Sequence, residues 1–216
     1  EALAIVRELK GLGAGWKIGK QLFTREGPAL VREIVAMGED VFLDLKYHDI
    51  PHTVAQAGLA AAALGVKMFN VHAAGGRAMM METRRALDTL PARPLVLAVT
   101  VLTSLSAEDL REVGCHDAPA QQVARLARLA EEAGMDGVVS SPLEIEIIRS
   151  VTSPSFKILT PGIRPAGGEK GDQKRIATPA AAIAAGADYL VVGRPVTQAA
   201  DRKRALREIL DEISNG

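Results

Sequence analysis

The sequence predicts an α/β fold, a (β/α)8 TIM barrel forming one domain over residues 1–216. Three observations carry that expectation. Short apolar runs rich in β-branched residues alternate with Ala-, Leu-, Glu- and Arg-rich segments, the rhythm of βαβ units and a parallel sheet. Glycines stand a few residues before strand candidates (Gly65, Gly134, Gly186), where C-terminal helix caps belong. Charged side chains sit at the ends of apolar runs, and barrel sites gather at the C-terminal ends of strands.

The elements follow in order. An opening helix is expected over 1–11, with Leu3, Ala4, Val6 and Leu9 on one face. Strands are expected at 15–18, 41–46, 68–72, 95–100, 137–140, 157–161 and 189–193. Helices are expected at 28–37, 51–64, 76–90, 118–133, 142–150, 179–185 and 201–213. Seven strands with seven following helices make an eight-stranded barrel lacking its first strand. A gap of one strand would expose two sheet edges. Either a segment before Glu1 supplies that strand or the chain is truncated.

Bulk properties narrow the function. Lys plus Arg and Asp plus Glu each total 26, so the formal net charge is zero, which argues against a general nucleic-acid binder. The single cysteine, Cys115, forms no intrachain disulfide and fits a reducing cytoplasm. No apolar run approaches a membrane span, and no signal peptide is visible. No zinc-ligand spacing, Walker motif, Gly-x-Gly-x-x-Gly turn or Gly-x-Ser-x-Gly elbow is present.

The most informative stretch is Val41 to Pro51. Alternation along a strand puts Val41, Leu43 and Leu45 on one face and Phe42, Asp44 and Lys46 on the other. Burying an Asp and a Lys together is costly unless they pair. The pair reads either as a structural ion pair or as a catalytic array, with Asp49 three residues on. Lys17, at the end of the strand before, is a surface residue in isolation and part of the array beside Asp44 and Lys46. The run Thr100 to Ser104 ends another strand with hydroxyls and amides suited to an amide-bearing ring. His72 reads as a core histidine. Arg164, Gln173, the Gly193 amide and Arg194 follow the last two strands, where such barrels build phosphate sites, and Arg offers a bidentate fork.

These residues also carry a family resemblance. Asp44-x-Lys46-x-x-Asp49-Ile50-Pro51-x-Thr53 resembles the signature of the orotidine 5'-phosphate decarboxylase family. Lys17-Ile18-Gly19-Lys20, Pro161-Gly162-Ile163-Arg164-Pro165, Gly171-Asp172-Gln173 and Val192-Gly193-Arg194-Pro195 resemble its other blocks, in the same order and in the bacterial form. The resemblance implies decarboxylation of orotidine 5'-monophosphate to uridine 5'-monophosphate, in pyrimidine biosynthesis, without a cofactor or metal. It implies that Lys46 gives a proton to C6, that Asp44 lies near the scissile carboxylate, and that Lys17 links ribose to the charged array. Asp49, Ile50 and Thr53 would reach into the site of a second subunit, making a homodimer with shared active sites. Thr103 or Ser104 would face the pyrimidine, and Arg164, Gln173, Gly193 and Arg194 would hold the phosphate. No nucleic acid or membrane is implied as a partner, and the location is cytoplasmic.

Two positions depart from the family pattern. A ribose-contacting Asp on the first strand would lie before Glu1, and His52 replaces a common Asn. Rival readings are a magnesium-dependent sugar-phosphate decarboxylase or hexulose-phosphate synthase, a non-catalytic nucleotide-binding barrel, and an isomerase of a phosphorylated small molecule. The first places an acidic residue where Lys17 stands.

Overall fold

The computed structural model describes residues 1–165 and 177–214. Helix α1 (Ala2–Leu9) leads into β1 (Trp16–Gly19), α2 (Lys20–Ala36), β2 (Val41–Tyr47), α3 (Pro51–Ala62), β3 (Met68–His72), α4 (Gly76–Leu87) and β4 (Leu95–Val99). Then come α5 (Ala107–Glu112), α6 (Pro119–Glu132), β5 (Gly137–Val139), α7 (Ile145–Arg149), β6 (Lys157–Thr160), α8 (Pro179–Ala184), β7 (Tyr189–Leu190), α9 (Arg194–Thr197) and α10 (Arg202–Ser214). Single 3-10 turns at Ala73–Gly75 and Pro142–Glu144 open onto α4 and α7. All strand pairs are parallel, in the order β1 to β7. This is the curled sheet of a barrel with helices on its outer face.

Each of the seven expected strands is present. Among the described residues β1 and β7 are the sheet's two edges. Leu9 of α1, Val196 of α9, and Leu206 and Ile209 of α10 form an apolar cluster, against which Trp16 and Val192 pack from beside those edges. In α1, Val6 and Leu9 are buried, but Ala4, expected on the same face, is exposed. The helix expected from 28 begins at Lys20, and the Gly27–Pro28 pair kinks it, with Gly27 at φ 67°. The 142–150 helix divides into a 3-10 turn and α7. Helices α5 and α9 were not anticipated. The first carries a reciprocal Ser106/Asp109 capping box, a signal visible in the sequence.

Alternation sorts the side chains into two layers. Val41, Leu43, Phe69, Val71, Val96 and Ala98 face the helices. Phe42, Met68, Leu97, Val99, Val139 and Leu159 fill the sheet's concave side. Full burial of such side chains contributes roughly 1.5–3 kcal/mol each.

The strand starts are tied by a repeated device. Gly38, Gly134 and Gly186 end helices at positive φ, and an Asp follows two residues later, just before a strand. Asp136 receives both guanidinium arms of Arg93 at 2.7 Å and the Val96 amide. Asp188 receives Arg149, Lys157 and the Ile158 amide. Asp40 pairs with Lys67. These networks lie at the N-terminal ends of the strands, the end that serves stability in parallel barrels.

Candidate active site

At the opposite end of the sheet lies a cleft of about 200 Å³. Lys17, Asp44, Lys46, Thr103 and Ser140 supply its polar groups. Phe42, Val99, Val101, Leu102, Val139, Leu159, Pro161 and Val191 supply an apolar wall.

The cleft's charge centre is Asp44, which is 9% exposed. One carboxylate oxygen accepts Lys46 Nζ at 2.5 Å and Asn70 Nδ2 at 2.7 Å. The other stands 3.2 Å from Lys17 Nζ. Burial pushes this carboxyl up. The Lys46 hydrogen bond, the Lys17 charge and the Asn70 hydrogen bond outweigh that and hold it below its usual range. Lys17 reaches Asp44 because β1 and β2 pair in register, Lys17 opposite Phe42. Its ammonium passes over Gly19, where a Cβ would stand 3.1 Å from Nζ, so the missing side chain leaves the lysine room.

Lys46 reaches the same carboxylate through a break in the strand. The ladder pairs Leu43 with Phe69 and next Tyr47 with Val71. Three residues of β2 therefore stand against Asn70 alone, a bulge with two extra residues. Lys46 occupies the left-handed region at φ 53°, the only non-glycine residue to do so among those described. Its backbone N–H donates to Asn70 Oδ1 at 2.8 Å.

Other expected residues are placed variously. Thr103 lines the cleft, whereas Ser104 is exposed and does not. Asp49, Ile50 and Thr53 are exposed at the start of α3 and do not line this chain's cleft; Ile50 is 67% exposed. Asp49 accepts the amide of Ile50. Arg164 is buried after β6 and donates to the Ile163 carbonyl. Burial and then the charge of Arg194 lower its pKa. Gly193 and Arg194 are exposed at the start of α9. A bridge between Ile163 and Ala177 closes the base of the loop between those strands. Gln173 lies outside the described residues. Among the described residues no three His, Cys, Asp or Glu side chains gather as a metal site.

The model of the Orotidine 5'-phosphate decarboxylase / HUMPS family matches residues 1–209. The orotidine 5'-phosphate decarboxylase of Nitrosococcus oceani is 51% identical over 215 residues, covering 100% of this chain and 93% of the relative. That of Geobacter sulfurreducens is 56% identical over 204 residues, covering 93% and 85%. The crystal structure of the Lactobacillus acidophilus orotidine 5'-phosphate decarboxylase superposes with a TM-score of 0.82 at 40% identity, covering 91% of this chain and 85% of the other.

The chain belongs to the orotidine 5'-phosphate decarboxylase / HUMPS family.

It is an enzyme, a carboxy-lyase like the curated members of that family. Two features of this decarboxylase-family site escaped sequence reasoning. Asn70 lies inside the expected strand 68–72, and its place two residues after Met68 puts it on the concave face. Ser140 ends the expected strand 137–140 and directly follows β5. It accepts from Thr100 Oγ1 at 3.0 Å and donates to the buried Glu144 at 2.6 Å, which fixes its hydroxyl at the cleft. His72, expected in the core, is half-buried with its ring 5.4 Å from that of His48.

Proposed function

We propose that this enzyme converts orotidine 5'-monophosphate to uridine 5'-monophosphate without a cofactor, and that Lys46 protonates C6. The observation that carries this reading is the Lys17–Asp44–Lys46 array beside an apolar wall in one cleft. The apolar wall suits a flat pyrimidine, and the array suits a reaction that builds negative charge on carbon.

In the proposed step the C6–carboxylate bond breaks heterolytically and carbon dioxide leaves. The electron pair stays on C6, where no ring system accepts it easily. The Lys46 ammonium offsets that charge and transfers its proton to C6, ending as a neutral amine that regains a proton from water. Asp44 stands beside the departing carboxylate. Two like charges about 4 Å apart repel by roughly 4 kcal/mol at an effective dielectric near 20, and carbon dioxide loss relieves that repulsion. Lys17 offsets part of the negative charge and reaches toward the ribose.

One preorganised donor supplies about 3–4 kcal/mol, while enzymes lower barriers by roughly 8–23 kcal/mol. Remote binding energy must therefore contribute. Arg164, Arg194, the Gly193 amide and Gln173 are the proposed phosphate holders; Arg164 follows β6 and Gly193 and Arg194 follow β7, the strand ends where such barrels bind phosphate. Of Thr103 and Ser104, Thr103 lines the cleft and is the one proposed to face the pyrimidine. The exposed Asp49, Ile50 and Thr53 are proposed to complete the cleft of a second copy in a homodimer. No helix among the described residues is long and apolar enough to cross a membrane, and we place the reaction in the cytoplasm.

The test is loss of orotidine 5'-monophosphate absorbance on adding the purified protein in the presence of EDTA. Rapid loss is expected. Loss only in the absence of EDTA would favour a metal-dependent reaction, and no loss under either condition would overturn the proposal.

A further inference from the structure

We infer that Asn70 is a positioning residue for the reaction: its carboxamide replaces the strand ladder missing at the bulge and thereby aims Lys46 and Asp44 at the substrate. This rests on the proposed role of Lys46 as proton donor.

The bulge creates a need that Asn70 meets. Two extra residues in β2 move the Lys46 N–H off the regular ladder. A buried N–H without an acceptor is costly, so an acceptor must come from elsewhere. Asn70 is 0% exposed and points to the concave side, in the layer above Met68. Its Oδ1 accepts the Lys46 N–H, and its Nδ2 donates to the Asp44 oxygen that also holds Lys46 Nζ. The amide orientation is set by chemistry, because an N–H must meet an acceptor and a carboxylate must meet a donor. One side chain thus grips the proposed proton donor by its backbone and its counter-ion by the carboxylate. The Asp44 contact holds only the far end of the Lys46 side chain, whereas Asn70 holds its backbone.

The charged and titratable groups around Asn70 are Asp44 and Lys46 on β2, Lys17 of β1 behind Asp44, and His72 two residues on along β3. Burial keeps the His72 imidazole neutral down to about pH 4, and it also feels the charges of Lys46 and Asp44. On β4 the register partner of Asn70 is Leu97. Asn70→Asp keeps the shape and the acceptor but turns the donor toward Asp44 into an oxygen. Two facing carboxyls cannot both ionise easily, so the new one holds its proton to higher pH. Protonated, it donates to Asp44 as the amide did. Ionised, it repels Asp44 and displaces the array. Asn70→Ala removes both contacts at every pH.

The experiment measures kcat and KM for orotidine 5'-monophosphate from pH 5 to 9 for wild type, Asn70→Ala, Asn70→Asp and Lys46→Ala, with circular dichroism confirming each fold. A misplacement of about 1 Å can lower turnover about 100-fold, so Asn70→Ala should lose on the order of 100-fold in kcat with little change in KM. Asn70→Asp should match that loss at high pH and recover at least tenfold of it as the pH falls. Wild-type kcat in a folded Asn70→Ala, or equal pH profiles for the two Asn70 variants, would overturn the inference. Normal turnover by Lys46→Ala would instead overturn the proposed chemistry, whatever the Asn70 variants did.

Discussion

The left-handed backbone at Lys46 makes a prediction that separates strain from chemistry. A non-glycine residue in that region is disfavoured by roughly 1–2 kcal/mol, because Cβ crowds the carbonyl. Lys46→Ala and Lys46→Gly both lose the 2.5 Å contact to Asp44, so that loss cancels between them. What remains is the backbone. At an ordinary strand position Gly is less stable than Ala by roughly 0.5–1 kcal/mol. At φ 53° the relieved crowding outweighs that entropy cost, leaving the glycine variant ahead by about 0.5–1 kcal/mol. In a chain of 216 residues this corresponds to a melting point about 1–4 °C higher for Lys46→Gly. The assay is urea unfolding of both variants, with midpoints compared at equal slope. Both should also be inactive. An alanine variant as stable as the glycine variant would refute strain at this position. The site would then hold Lys46 without backbone cost.

Three further outcomes are expected. Arg194→Ala should lower kcat/KM by about 30-fold, corresponding to about 2 kcal/mol for a charged hydrogen bond, and weaken uridine monophosphate binding less; equal losses in steady-state kinetics and calorimetry would contradict this use of phosphate binding. His72 has its pKa lowered to about 4 by burial, with further lowering from His48, Lys20 and Lys46. The unfolded chain therefore takes up a proton below about pH 6.5 that the folded chain refuses down to about 4, so stability falls with pH across that window, by roughly 2 kcal/mol at pH 5. In urea titrations at pH 7 and pH 5, His72→Gln should remove that share of the acid loss. At the other end of the sheet, Asp136→Ala should leave the Val96 amide without its carboxylate acceptor and leave Arg93 with Asp88 as its remaining carboxylate partner, destabilising by about 1–3 kcal/mol. Turnover per folded molecule should stay unchanged, since the network lies away from the cleft.

Much of this protein was legible from local patterns. Period-two alternation sent Leu43 and Phe42 to opposite layers, and that is where they pack. Helix-ending glycines at 65, 134 and 186 do carry positive φ. Lys17, Asp44 and Lys46 do converge. Helix α5 was missed although its capping box lay in the open, because a six-residue helix shows too little periodicity to be recognised. Alternation and capping depend on neighbours in the chain, so they survive without knowledge of the fold.

Local patterns were enough for the order of the strands and longer helices, the parallel sheet, and which strand ends carry charge. How that charge is held depends on the pairing of distant strands. A bulge is a mismatch between two strands, and neither strand alone records it. Asn70 is 26 residues from Asp44 and 24 from Lys46, and meets both only because β3 pairs beside β2. The exposure of Asp49 and Ile50, outside their own chain's cleft, likewise depends on where α3 leaves the sheet. Backbone hydrogen bonding between distant segments, rather than residue type, sets those positions.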